Sequence, residues 1–480
     1  MSNFDYFKNV EDFYLNNNNT FENLEGKMSA SFNIPENIFR DAIKRSLFEI
    51  LKEGPKKKLQ ENKVSFKDCF FYFATMLFFL LNAIFGLSNK QVVYKKIVFE
   101  MWDLNGYDSF YKSLLRRLGK DITLLYITNY HKKFKAINFN FSTLYSKKYI
   151  FNKSVSKDIF KSQFFLFNFY YKISKELEIN FIYVVLNMFR HIAMYSTHSK
   201  QINCHVLFSA GDNYYNSLRY FLYKKNGIKN IALLQNGLRT GKWTNETVDV
   251  YTYCDYYFGF GVEQINVQAG MHCPNKMPVG SVKLGLMLDQ YKNYKKTVHF
   301  DIVFLASYEE RDTCYIKVDT YNKIIENLCN FSINNPNYKI FYSDKKRKNK
   351  SVKYMKMIQK IQRSGIVCSS SNIDNSYNAI LCSDVCLFYR TTIGLEALAM
   401  GKMVLNINYD ESNTPMLPTD EIAVLKKSSY KAFEERLLLL TSSKIKYIDY
   451  KYKELSNDYM NNNFKNNDIE DLILNAVCIS

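Results

Sequence analysis

Between Leu387 and Asn408 the chain reads LFYRTTIGLEALAMGKMVLNIN. An apolar run ends at Tyr389, and Arg390, Thr391 and Thr392 separate it from a helix expected to begin near Ile393. A helix N-terminus presents unsatisfied N–H groups and a partial positive charge, which suits it to hold a phosphate. Thr391 and Thr392 add hydroxyl donors, and Arg390 adds a cation. Gly394 lets a ligand approach the backbone closely. Glu396, one turn into the helix, can accept hydrogen bonds from ribose hydroxyls or serve as a capping-box partner. The plain alternative is a capped crossover helix without a ligand, in which one threonine satisfies an orphan N–H. Ser307, near the end of another apolar run, and Lys345, which opens the basic run KKRKNK, are further candidates for a phosphate site. That run also suits a solvated loop.

A group-transfer site of this kind also needs a carboxylate as base or nucleophile. Asp212 is the first choice, because it follows Gly211 at the end of the apolar run CHVLFSAGD. Its structural alternative is an N-cap for the next helix. Glu246 and Asp249 are weaker acids for the role. Gln235, Asn236, Gly237 and Arg239 form a second loop at a strand end, either facing a cleft or making an ordinary turn. His205 lies inside an apolar strand and suits a core position better than a catalytic one.

The surrounding pattern supplies the scaffold. CHVLFSAGD, NYYNSLRYFLYKKNG and IKNIALLQNG read as strand, helix and strand, a βαβ unit with a parallel sheet. Residues 255–270 add a strand and a short helix, and 277–285 another short strand. The polar, basic stretch 286–300 suits a linker. A second series follows, with strands at 301–310, 337–345, 365–371 and 384–389 and helices at 319–336, 351–362 and 375–383. Residues 1–200 look mostly helical. The expectation is an α/β protein of two Rossmann-like halves, 201–290 and 301–480, preceded by a helical region over 1–200. Ligands in such sheets sit beyond the carboxyl ends of the strands, so the cleft between the halves is the expected site.

TTIGLEALAMGKMVLNIN resembles the donor-site signature of GT-B glycosyltransferases, in which a Ser/Thr pair opens a helix, Glu-Ala follows, and a GKPV turn leads into the next strand. Met403 stands here where proline is common. The series LLQNGLRTGKW, VDVYTYCDYYFGFG and MPVGSVKLG is similar to motifs of bacterial surface-carbohydrate synthesis proteins, Kdo- and sialyltransferase-like members among them. The resemblance covers roughly residues 200–475. It implies transfer of a sugar from a nucleotide-activated donor, a CMP-linked one among the candidates, to a cell-surface glycan or lipid-linked acceptor. With the helix terminus, Thr391 and Thr392 serving the phosphate, no metal is needed, in keeping with the lack of a DxD-type motif, and no other cofactor is expected. A glycerophosphotransferase, a nucleotide-sugar epimerase and a non-catalytic assembly protein of the same fold remain alternatives.

Composition narrows the partners. The 480 residues are 47% hydrophobic with a formal charge of +19, which suits a globular chain that meets polyanions. No nucleic-acid-binding signature is present, so anionic lipid and phosphorylated substrates are the favoured polyanions, and nucleic acid is not expected. The ten cysteines include no CxxC pair and no zinc spacing, which suits reduced thiols in the cytoplasm. Cys69 to Leu87 runs 19 residues without a charge, near the minimum for a membrane span. A buried or interfacial helix is the favoured reading, and peripheral association with the inner face of the plasma membrane the expected location.

Overall fold

The computed structural model describes residues 3–52, 66–88, 95–101, 123–127, 142–145, 150–177, 179–211, 215–237, 251–266, 270–291, 293–294, 298–310, 316–344, 351–368, 375–410, 417, 422–442, 446–460, 471, 473 and 475. Four helices come first: α1 (Asn3–Asn16), α2 (Asn18–Phe32), α3 (Glu36–Lys52) and α4 (Phe66–Phe85). Strands β1 (Lys95–Met101), β2 (Thr123–Ile127) and β3 (Ser142–Tyr145) follow. Helices α5 (Lys153–Gln163), α6 (Phe167–Glu176) and α7 (Phe181–Ser199) come next, with a single 3-10 turn at Phe164–Leu166 between the first two. The first half continues with β4 (Cys204–Ser209), α8 (Ser217–Lys225), β5 (Asn230–Leu234), β6 (Tyr256–Gly259), α9 (Val262–Asn266), β7 (Asn275–Pro278) and α10 (Val282–Gln290). The second half opens with β8 (Phe300–Leu305), α11 (Val318–Asn334), β9 (Ile340–Ser343), α12 (Val352–Arg363) and α13 (Ser376–Leu381). It continues through β10 (Ser383–Phe388), α14 (Ile393–Ala399), β11 (Met403–Ile407), β12 (Val424–Leu425), α15 (Tyr430–Thr441) and α16 (Lys446–Tyr459).

The strands form two parallel sheets, a seven-stranded one in the order β3-β2-β1-β4-β5-β6-β7 and a five-stranded one in the order β12-β11-β10-β8-β9. Both are doubly wound, which makes the fold α/β with two Rossmann-like halves, as the sequence led one to expect. The winding direction reverses between β1 and β4 in the first sheet and between β8 and β10 in the second. Ligand sites of doubly wound sheets lie beyond the strand carboxyl ends at such reversals. Strands β8, β10 and β11 are buried along nearly their whole length, because helices cover both faces of a parallel sheet.

The first sheet reaches further back than the expected boundary at residue 201, since β1 to β3 lie between 95 and 145. The helical region is therefore α1 to α4 together with α5 to α7, and it packs on the first half in one core. Residues 286–290, expected as linker, belong to α10. Of the strand expected at 365–371, residues 365–368 are described and make a single bridge, between Phe341 and Val367.

Helix α16 ties the halves together. A Cβ on Gly261, just before α9, would stand 2.3 Å from the Asp458 carbonyl oxygen, so only glycine admits this approach. On the other side Tyr452 donates its hydroxyl to the Val404 carbonyl on β11 at 2.5 Å. The chain thus crosses back from the second half to rest against the first.

Candidate functional site

A cavity of about 450 Å³ opens between the halves. From the second half it is lined by Leu305, the last residue of β8, with Ala306, and by Arg390 to Ile393 after β10, the two strand ends at the winding reversal. Asn375, Ser376 and Tyr377 at the head of α13 complete that side, together with Glu396. From the first half come Asn236, Phe260, Ser281 and Lys283.

Three helix N-termini meet here: those of α10, α13 and α14. Asn375 caps α13 by accepting from the amides of Tyr377 (2.9 Å) and Asn378 (3.1 Å). Ser281 caps α10 by accepting from Leu284 N at 3.1 Å. Thr392 has helical torsions and makes no side-chain cap bond, so capping does not explain this threonine. Among the described residues Thr391 Oγ1 engages no partner. Among the described residues the cations lining the cavity are Lys283, whose Nζ lies 5.8 Å from the Tyr377 ring centroid, and Arg390.

Arg390 is held in a left-handed conformation, φ 51°. For a residue with a Cβ this costs about 1–2 kcal/mol, so neighbouring bonds must impose it. Ser307 Oγ donates to the Tyr389 carbonyl at 2.6 Å, and the Tyr389 hydroxyl donates to Asp410 Oδ2 at 3.1 Å. Arg390 Nη2 stands 3.6 Å from that same carboxylate oxygen. The corner is therefore pinned at Tyr389 and at the Arg390 side chain. Ser307, expected to touch a ligand, is buried beneath this corner and does not line the cavity.

Glu396 corrects a second expectation. Its carboxylate is 4% exposed and engaged on both oxygens: Oε1 accepts from Ser281 Oγ at 2.8 Å, and Oε2 from the Tyr377 hydroxyl at 2.7 Å. Burial pushes the carboxyl above its ordinary 4.5, against the opposing pull of the Lys283 charge and the two hydroxyl donors. Glu396 thus bonds one half to the other. A capping-box role is absent, because Thr392 offers no cap to reciprocate.

Gly394 faces the protein. A Cβ there would lie 2.2 Å from Phe388 Cγ, so its missing side chain admits the chain's own aromatic ring and not a ligand. Gln235 is likewise internal: it accepts from Phe260 N and donates to Gly237 O and Gln264 Oε1, each at 2.8 Å. Asn236, next to it, does line the cavity and donates to the Ala210 carbonyl at 2.8 Å. Gly237 serves as that acceptor for Gln235 and does not line the cavity.

Asp212, Arg239, Glu246 and Lys345 lie outside the described residues, as does Asp249. The chain leading to Asp212 is fixed, however. Gly211 N donates to Ser209 Oγ at 3.1 Å, and Ser209 donates on to Glu100 Oε2 at 3.0 Å. Glu100 is fully buried and paired with the equally buried Arg219, whose guanidinium lies 3.9 Å from the Tyr215 ring centroid. The N-cap of α8 is Asn216, which accepts from Arg219 N at 2.8 Å, so the capping alternative for Asp212 does not hold.

Sequence reasoning missed Ser281, Lys283, Asn375, Ser376, Tyr377, Phe260 and the Glu100–Arg219 pair. One signal was available for Lys283. A lysine in the first turn of a helix opposes the helix dipole, which is unfavourable unless an anion is bound there.

No protein-family model and no curated protein matches the sequence. Among solved structures the chain is similar to the wall teichoic acid polymerase TagF, with 11% identity, TM-score 0.48, and 86% of this chain and 98% of that one covered. It is also similar to S. aureus MnaA solved with UDP, with 14% identity, TM-score 0.49, and coverage of 80% and 98%. A third is the UDP-GlcNAc 2-epimerase from Neisseria meningitidis bound to UDP-GlcNAc, with 13% identity, TM-score 0.45, and coverage of 81% and 100%.

Proposed function

We propose that the chain is a glycosyltransferase that moves a sugar from a nucleotide-activated donor to a hydroxyl of a cell-surface glycan or lipid-linked acceptor, without a metal. The observation that carries this reading is the convergence of three helix N-termini, Lys283 and Arg390 on one cavity shared by both halves. When the bond between the sugar's anomeric carbon and the phosphate oxygen breaks, negative charge collects on the departing phosphate. Amide groups and cations fixed around that position stabilise it without reorganising. Lys283, Arg390 and the α14 terminus offer the positive charge that a metal would otherwise bring. The acceptor oxygen bonds to the anomeric carbon as its proton passes to a carboxylate, for which Asp212 is the candidate. Asn236, which lines the cavity, is bonded to Ala210, two residues before Asp212.

Thermal unfolding of the purified protein with CMP, CDP, UDP and GDP tests the reading. One of the four should raise the midpoint by several degrees, and Thr391→Val with Thr392→Val should abolish the rise. CMP preference would indicate a Kdo or nonulosonate donor, and UDP or GDP a hexose. Failure of all four to stabilise the protein would overturn the assignment, and stabilisation unaffected by the threonine pair would overturn the site.

A further inference from the structure

Helix α4 is apolar on all sides, yet only one side is packed. Tyr72, Met76 and Phe79 are fully buried, and the Tyr72 hydroxyl donates to the Gln163 carbonyl at 2.5 Å. Asn82 Oδ1 accepts from Phe151 N at 2.8 Å. The opposite arc recurs at three- and four-residue spacing and lies open: Phe70 is 66% exposed, Leu77 54% and Phe85 77%, with Phe73, Leu81 and Ile84 between them. Phe165 on the neighbouring turn is 85% exposed. From these exposures and ordinary side-chain areas the open apolar face amounts to roughly 700 Å², above the few hundred typical of a monomer's largest patch.

The border of this face carries charge of one dominant sign. Phe73 meets Phe164 at 5.9 Å between ring centroids, and Phe164 meets Phe160 at 5.0 Å. Beside those rings α5 presents Lys153, Lys157 and Lys161 at four-residue spacing, all exposed, against the single exposed acid Asp158. Lys67 stands at the head of α4 with its Nζ 5.9 Å from the Phe71 centroid. An apolar stripe edged by lysines is complementary to an anionic bilayer, in which the rings enter the acyl boundary and the ammonium groups meet lipid phosphates. A second copy of the chain fits less well, since the formal charge is +19 on each.

We infer that the exposed face of α4, with Phe165 and the α5 lysines, docks the protein on an anionic lipid surface with α4 lying in the plane of the interface. By length and composition Lys67–Phe85 is apolar enough to cross a membrane. Crossing would, however, pull the fully packed Tyr72–Met76–Phe79 side out of the helical core. This placement is independent of the reaction proposed above.

Flotation with vesicles of phosphatidylglycerol and phosphatidylcholine, against phosphatidylcholine alone, tests it. The full chain should float with the anionic vesicles at low salt. Leu77→Glu with Leu81→Glu should weaken this at least tenfold while leaving the nucleotide-induced thermal shift unchanged. Lys157→Gln with Lys161→Gln should reduce the preference for anionic over neutral vesicles. In otherwise unaltered chains, Phe70→Trp and Ile84→Trp should be quenched by brominated lipids at equal depth, although the two positions are ~21 Å apart along the helix. Equal flotation of the glutamate variant would overturn the proposal. So would depths differing by that distance, which would mean a span. A wild-type dimer that ignores vesicles and dissociates in the glutamate variant would show a second copy to be the occupant instead.

Discussion

Replacing Lys283 by methionine gives the sharpest reading of the site. Lys283 is a half-buried cation at the cavity, on the first-half side, with its ammonium near the Tyr377 ring at the head of α13. A hydrogen bond from a charged group to a ligand contributes about 1.5–3 kcal/mol. Partial solvent screening at a half-buried lysine puts the lower part of that range in force, about 1.5–2 kcal/mol. At about 1.4 kcal/mol per decade, the dissociation constant of the preferred nucleotide should rise roughly 10- to 30-fold. Methionine keeps the apolar stem against the Tyr377 ring, so the unfolding midpoint of the free protein should move little. Titration calorimetry at two salt concentrations separates a charge effect from a shape effect. The wild-type affinity should fall with added salt more steeply than that of the variant, because one fewer ion contact remains to be screened. Lys283→Arg should recover most of the affinity. If Lys283→Met binds within twofold of wild type at both salt concentrations, the convergence of charge on this cavity is not what binds the phosphate.

Gly394→Ala should destabilise by about 2 kcal/mol despite alanine's helix preference of about 1 kcal/mol, because the new methyl would sit 2.2–2.5 Å from the Phe388 ring. Urea unfolding decides the sign, and a more stable variant would refute the clash. Ser307→Ala leaves the Tyr389 carbonyl without its donor, which should cost about 1–3 kcal/mol and weaken nucleotide binding through the adjoining Arg390. Unfolding and calorimetry on the same variant check both effects, and unchanged affinity would show that Arg390 needs no such pin. Glu396→Gln should make stability less dependent on pH. The folded carboxyl is raised above 4.5, so its contribution is fully present below that value and is lost as pH climbs through the raised one. The variant's midpoint should therefore gain on wild type as pH increases from 4.5 upward, and a gap that is flat or shrinking would refute the assignment of burial as the dominant influence.

The central strands were legible because parallel strands covered on both faces read as continuous apolar runs between polar corners. DVCLFY and IALL are plain examples, and they fall on β10 and β5. The edges were not. Strand β7 is NKMP, half exposed, and the short strand expected at 277–285 overlaps it only at Met277 and Pro278. In β1, KKIVFEM hides a buried glutamate, whose partner Arg219 is more than a hundred residues away. The corner Arg390–Thr392 was readable as a helix entrance at a strand end. Glu396 and Gly394 were assigned to the ligand because nothing local reveals that Ser281, Tyr377 and Phe388 already occupy those approaches. Exposed and core-facing sides of α4 could not be separated by pattern, since both are apolar.

The Glu396 arrangement also bears on how the cleft is held. An ionised carboxylate facing the cavity would repel the phosphate that the proposed function places there. Here both oxygens are turned to hydroxyl donors, one from each half, and burial favours the protonated form. Ser281 spends the same oxygen twice, accepting from Leu284 N and donating to Glu396, so the head of α10, and Lys283 with it, is set by a bond to the second half. The α16 crossing at Gly261 restrains the halves on a different segment of the chain. With two separate ties, the positive groups of the cavity stand together before any nucleotide arrives, and little of the binding energy need be used to assemble them. The same ties oppose opening, so any ligand that enters or leaves must either break the Ser281–Glu396 bond or pass along the open side of the cavity.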